Sequence, residues 1–337
     1  MKVNKWLLGI GAISLALVTA ACTGQSTGGK SGASGEWKPK KPIEMIAPAG
    51  AGGGWDTTAR IIQKTMDKEK LLDKPMAVVN KPGGGGAVGW SYVANKKGDP
   101  HTLFVTSPPI LFVPLNGQSK VGHKDFTPIA GVIADYGAFV VKKDAKWKNI
   151  GDLMGDLKKN PQAASIVGDS SPGSMDHMQF VKAAKKAGVE VKKLKYVSMQ
   201  DGGGMSALLG GHVDVYSTGL AEATEQARAG KVKVLAITAE KRLKGETVSE
   251  FPTLKEQGID DSFTVWRGIM GPPNMEPAAV KYYEQKIKKM LATDEWKAQA
   301  NKLGWEEGFM TGEEFGRHMD KEYKTFAKLI KEAGLKH

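Results

Sequence analysis

The stretch 43-IEMIAPAGAGGGWDTTARII-62 decides how the rest of the chain is read. Ile43, Met45 and Ile46 form a short apolar run, and six small residues follow from Ala49 to Gly54. Beyond them Ala59, Ile62 and Met66 recur at three- and four-residue spacing. Strand, tight glycine turn and helix N-terminus fit that order, with Asp56 as N-cap of a helix over 56–68. Such a turn leaves backbone N–H groups around an open cradle. The helix dipole adds partial positive charge there, so phosphate or carboxylate is the favoured guest. The plainer alternative is a connection whose glycines only relieve crowding, and glycine alone does not separate the two.

Upstream of this stretch, Lys2 and Lys5 precede an apolar run from Trp6 to Val18 that ends in Thr19-Ala20-Ala21-Cys22. Positive residues, a short apolar core and small residues describe a secretory signal over 1–21. Cys22 is the only cysteine, so no disulfide forms within the chain. Its position resembles a bacterial lipobox, where the thiol is acylated after cleavage; an incidental cysteine in an ordinary signal is the alternative. Residues 22–36, rich in Gly, Ser and Thr, cannot bury a core and read as a flexible tether.

Downstream, strands and helices alternate. Strands are expected at Met76–Asn80, 102–107, 164–168, 189–197, 213–217 and 232–238, and 129–142 reads as two apolar strands. Helices are expected at 87–95, 174–187, 205–209 and 221–229. The alternation argues for an α/β fold with parallel sheets. The last third reads as helical, over 277–292, 294–302 and 311–333. Those helices need a sheet made earlier, which implies that the C-terminal segment returns to a first domain after a second has been inserted.

Composition excludes several classes. The formal charge is +12, but the lysines are spread along the chain and no module signature accompanies them, so nucleic-acid binding is not expected. Gly84-Gly85-Gly86-Ala87-Val88-Gly89 fits a dinucleotide fingerprint, yet the acidic residue due after the next strand is missing. No Walker lysine follows either glycine turn. One cysteine and six scattered histidines give no metal-ligand spacing, and no Gly-x-Ser-x-Gly elbow singles out a nucleophile. No catalytic residue, metal or cofactor is therefore expected. What repeats is a device: loops 49–56, 82–86, 107–109, 168–174 and 200–204, rich in Gly, Ser and Pro, all follow expected strands. Neutral donor loops converging at strand ends suit reversible binding of a small anion. His177, one turn into a helix that starts near Gly173-Ser174, is a candidate donor to it, against the plainer reading of a polar surface residue.

The series PAGAGGGWDTTAR (48–60), VVNKPGGGGAVGW (78–90), DFTPIAGVI (125–133), GSMDHM (173–178), SALLGGHVDV (206–215), KVKVLAITAEKR (231–242) and FPTLKEQGID (251–260) resembles the substrate-binding receptors of tripartite tricarboxylate transporters, the TctC-like or Bug family. The resemblance covers nearly everything after the tether, in the family's order. It implies a two-domain, Venus-flytrap fold of the type II periplasmic-binding-protein class, with a hinge between domain one (37–136 and 240–337) and domain two (137–239). It implies a carboxylate ligand, whether citrate or a related tricarboxylate, a dicarboxylate, an acidic amino acid or an aromatic acid, that is passed to membrane permease subunits; with Cys22 acylated, the receptor is expected to be a lipid-anchored monomer. Carried over by position, Ala51, Gly52, Gly53, Gly54, Asp56 and Ser107 hold ligand from domain one, and Ser171, Gly173, Ser174, His177, Gly202 and Gly203 close from domain two. Two other classes stay open: a carboxylate sensor for a membrane kinase, and a secreted α/β enzyme.

Overall fold

One strand of 16 residues, Thr127–Lys142, joins the two halves of the molecule. The computed structural model describes residues 37–199 and 202–335. The signal, Cys22, the tether, and Gln200 and Asp201 of the 200–204 turn lie outside the described residues.

In chain order the first elements are β1 (Ile43–Ala47), α1 (Gly54–Lys68), β2 (Met76–Asn80), α2 (Ala87–Ala94), β3 (Thr102–Thr106) and α3 (Pro109–Leu115). The long strand is β4, followed by α4 (Ile150–Lys159), β5 (Ser165–Gly168), α5 (Met175–Lys186), β6 (Lys195–Ser198) and α6 (Gly204–Leu209). Then come β7 (Val215–Gly219), α7 (Leu220–Arg228), β8 (Val232–Ile237), β9 (Thr264–Gly271), α8 (Pro277–Leu291), α9 (Asp294–Leu303), β10 (Glu306–Thr311) and α10 (Gly312–Glu332).

The first lobe is built on the order β2-β1-β3-β9-β4, with β10 on the other edge of β4. The second continues β4-β7-β5-β6, with β8 also on β4. Up to Tyr136, β4 pairs with β9 and β10; from Gly137 it pairs with β7 and β8. Gly137 stands where a Cβ would collide with the Gln179 side chain, so the exchange of partners needs a residue without one. Each lobe buries apolar side chains on both faces of its sheet. The face of β1 and β3 that carries Met45 and Leu103 shares its core with Tyr282, Met290 and Trp296 of the C-terminal helices.

Three features differ from the sequence expectation. The run 129–142 is one strand rather than two, because its glycines fall on bulged or crowded positions instead of breaks. The sheets are mixed: β1–β2, β1–β3, β5–β6 and β5–β7 are parallel, whereas every pairing of β4 and β9 is antiparallel. The last third is not purely helical, since β9 is the central strand of the first lobe and β10 lies beside β4. The helix α10 follows its pattern more closely. Thr311 caps it in a box with Glu314, and Phe315, Met319, Phe326 and Ile330 are buried, while Tyr323 turns outward.

Candidate functional site

A cavity of about 400 Å³ opens where loops of the two lobes meet. From the first lobe it is lined by the turn at residues 48–55, the turn at 82–86, Ser107, Pro109, Val265 and Arg267. From the second come Asp169, Ser170, Ser171, Ser174, Met175, Asp176, Gly202 and Glu222.

The opening turn is held by Asp56. Its Oδ2 accepts from the Gly52 N–H at 2.8 Å and from Arg60 Nε at 2.9 Å, and its Oδ1 accepts from Asn80 Nδ2 at 2.8 Å. The same Asn80 amide donates to the Ala49 carbonyl at 3.0 Å. Asp56 is thus at the third helical position, with Gly53 as N-cap, and not the cap itself. Burial pushes its pKa up, but the bonds from Arg60, Gly52 and Asn80 outweigh it and hold the carboxyl below the ordinary range. Asp56 shapes the turn without lining the cavity, and Gly52 beside it serves the same brace. Ala51, Gly53 and Gly54 line the cavity directly.

The second turn is stricter. Gly83, Gly84, Gly85 and Gly86 all have φ between 58° and 123°, in the left-handed half of the map where a side chain is strained. A Cβ on Gly86 would lie 2.6 Å from the Trp90 ring. Between the turns Ser107 is buried, its Oγ accepting from the Trp55 indole Nε1 at 2.8 Å.

Arg267 was not singled out in the sequence as a site residue. It sits on β9, its Nη2 donating to Asp135 Oδ2 at 2.8 Å and its Nη1 to the Gly54 carbonyl and, at 2.6 Å, to Thr58 Oγ1. Gly54 leaves it room, since a Cβ there would come within 2.8 Å of Nη2. Burial pushes the Asp135 carboxyl up, and the adjacent guanidinium opposes that shift.

The second lobe presents a different chemistry. Ser174 caps α5 without a side-chain capping bond, is buried, and lines the cavity beside Ser171. Ser171 Oγ donates to Gln118 Oε1 at 2.9 Å, and Asn116 Nδ2 donates to the Pro172 carbonyl at 3.2 Å. These bonds tie the segment after α3 to the loop before α5. Gly202 lines the cavity; Gly203, the N-cap of α6, and Gly173 do not. His177 also stays out of the lining. Its Nδ1 accepts from the Gly173 N–H at 3.0 Å and its ring stacks on Tyr196 at 4.1 Å between centroids. Burial drives its pKa down to about 4, so it is neutral at pH 7 and fastens a loop.

Three carboxylates complete this wall, and none was singled out in the sequence. Asp169 accepts from the Gly204 N–H at 2.8 Å and the Tyr216 hydroxyl at 2.5 Å. Asp176 is buried, its Oδ2 accepting from the Ser170 N–H at 2.9 Å. Burial, with the nearby Glu222 and Asp169 charges, pushes its pKa up to about 8. Glu222 accepts from the Thr218 hydroxyl and, at 3.2 Å, from the Gly219 N–H. Glu222 is solvent-exposed in the first turn of α7. A signal did exist for Arg267, a lone arginine inside the apolar run TVWRGIMG. The acids carried none, because acidic residues at loop ends are ordinary surface chemistry. Among the described residues no group of three or more His, Cys, Asp and Glu side chains is placed to hold a metal ion.

Two α/β lobes joined through a shared strand, with loops of both around one cavity, define a two-domain periplasmic-binding-protein fold with a mixed sheet. The profile of the tripartite tricarboxylate transporter family receptor, TctC, matches residues 58–335, and the chain belongs to that family of solute receptors. A solved TctC solute-binding protein from Polaromonas, without ligand, is 30% identical, with a TM-score of 0.66 over 87% of this chain and 99% of that one. MatC of Rhodopseudomonas palustris with bound malate gives a TM-score of 0.73 at 21% identity, covering 87% of this chain and 99% of its own. Another R. palustris protein, with adipate, gives 0.77 at 22% identity, covering 88% and 98%. Among the described residues no helix is long and apolar enough to cross a membrane.

Proposed function

We propose that this chain is an extracytoplasmic receptor which binds a small carboxylate and delivers it to the membrane permease subunits of a tripartite tricarboxylate transporter. One observation carries the reading. Two glycine turns, braced by Asp56 and crowded by Trp90, open into a cavity that loops of the other lobe cover. Backbone N–H groups at the start of α1 and α2 offer donors and partial positive charge to a carboxylate without needing a basic side chain. The malate and adipate held by two proteins of the same fold support a small carboxylate of the di- or tricarboxylate kind, citrate included.

Transport then works by differential contact. A ligand that touches both lobes favours the closed form over the open one by the free energy of the contacts made only when closed. The exchange of β4 partners at Tyr136 and Gly137 is the natural hinge, with domain one over 37–136 and 240–337 and domain two over 137–239. Cys22 is the proposed lipid anchor and 22–36 the tether of a monomer that performs no chemistry on its ligand. Calorimetric titration of the intact protein with citrate, malate and adipate tests the reading. Saturable binding of at least one supports it. Absence of carboxylate binding, or chemical conversion of a bound carboxylate, would overturn it.

A further inference from the structure

We propose that a second cavity, on the first lobe and outside the cleft, docks an acidic peptide segment of a partner protein. It has a volume of about 430 Å³ and lies between the loop after α3 and the outer face of α10. Its wall carries Lys120, Lys124 and Lys324 against two acids, Asp125 and Asp320. Both acids are already engaged. Asp125 accepts from the Gly122 N–H at 2.8 Å, and Asp320 accepts from His123 Nε2 at 3.1 Å and Lys124 Nζ at 2.6 Å. Lys120 and Lys324 form no ion pair among the described residues, so the cavity keeps uncompensated positive charge. That charge continues beyond its rim. Lys321, Lys324, Lys328 and Lys331 are exposed on α10 and recur at three- and four-residue spacing, so they share one face. None of the four forms an ion pair among the described residues, and Glu313 on the same helix is taken by Arg317.

Shape selects a peptide over a flat membrane surface. The buried His123 ring forms part of the cavity and lies against Tyr323 at 5.1 Å between centroids. Tyr323 is one of two large hydrophobic side chains left exposed among the described residues, and it stands beside the lysines. A bilayer would meet the lysines and leave the hollow unfilled. A peptide can bring carboxylates to Lys120 and Lys324 and an apolar side chain to Tyr323 and Pro114. The fold also separates this face from the point where the chain enters the lobe. α3 and α10 pack on the side of the sheet that carries Ile46 and Phe104, whereas Trp37 packs with Met45 and Leu103 on the other. The loop that forms the cavity reaches the second lobe as well, since Gln118 Oε1 accepts from Ser171 Oγ at 2.9 Å. A partner seated here lies at the seam between the lobes without entering the cleft.

The test is fluorescence anisotropy at low salt, with the intact protein and a labelled polyglutamate peptide carrying one tryptophan. Saturable binding is expected. Lys120→Glu combined with Lys324→Glu should weaken it about tenfold or more. Lys297→Glu combined with Lys302→Glu, exposed positions on α9 with the same change in net charge, should leave it within about twofold. Tyr323→Ala, which alters no charge, should weaken it about threefold. Lys120 and Lys324 are exposed, so their replacement leaves the fold intact. No saturable binding, equal loss in the two lysine pairs, or unaltered affinity in Tyr323→Ala would overturn the proposal. So would vesicles of phosphatidylglycerol and phosphatidylcholine that bind through Lys120 and Lys324 and displace the peptide, because the face would then belong to a membrane. The readout does not depend on the cleft, so failure of every carboxylate there would overturn the receptor reading and leave this one standing.

Discussion

The two walls of the cleft solve opposite problems. The first-lobe wall is made of glycine and offers backbone donors; its one arginine is already neutralised by Asp135. The second-lobe wall is made of fixed acids and offers acceptors. The first needs backbone shapes that only glycine adopts, so its specificity is steric. The second gathers acids whose charge depends on pH, since Asp176 has its pKa raised to about 8 by burial and by the neighbouring acids. The contrast teaches that one cleft can set a wall of backbone donors against a wall of side-chain acceptors.

The comparison can be broken hardest at Arg267. Arg267→Met leaves Asp135 buried without its partner and should cost roughly 3–5 kcal/mol of stability, read from urea unfolding. Asp135→Asn in the same chain should return much of it; a single variant that unfolds like wild type would remove Arg267 from the account. Next comes the glycine wall. Gly86→Val meets both a φ of 109° and the Trp90 ring, which should destabilise by about 3 kcal/mol and weaken ligand binding. Asp56→Ala frees the Gly52 N–H and Asn80, and should cost about 2 kcal/mol while lowering affinity through a loosened turn.

The acidic wall is sharpened by pH. For Asp176 the folded pKa of about 8 lies above the ordinary value of 3.8, so the folded state holds a proton the unfolded state has lost. Its contribution is complete below the unfolded value and falls as pH rises through the window up to about 8. His177 acts in the opposite direction, since its folded pKa of about 4 lies below 6.5 and makes stability rise with pH between those values. The Asp176 effect is therefore cleanest between 6.5 and 8, where thermal midpoints of the ligand-free protein should fall with rising pH. Asp176→Asn should flatten that slope; an unchanged slope would place the proton elsewhere. The smallest effect lies outside the cleft. Thr311→Ala removes the α10 cap and should cost about 1 kcal/mol with ligand affinity untouched.

Much of the first wall was legible in the sequence, because glycine clusters and helix periodicity are local signals. β1, the turn and α1 follow from residues 43–68 with only the cap displaced, from Asp56 to Gly53. The second wall was hidden because nothing local marks three acids from separate segments as neighbours. Asp169, Asp176 and Glu222 come together only once β5 and β7 pair. β9 was missed for a related reason. Arg267, Gly268 and Gly271 interrupt its apolar pattern, though each fits the fold: the arginine pairs with Asp135, and a Cβ on either glycine would strike Phe315 or Met275. α3 was hidden by Pro108, Pro109 and Pro114, which read as loop although a proline suits the first turn of a helix.

The most direct measurement is a crystal structure of the protein with the tightest ligand from the calorimetric panel. The account predicts the carboxylate against Gly53 and Gly54, in the cavity between the lobes. A carboxylate placed against Asp169, Asp176 or Glu222, or a ligand bound outside the cleft between the lobes, would contradict it.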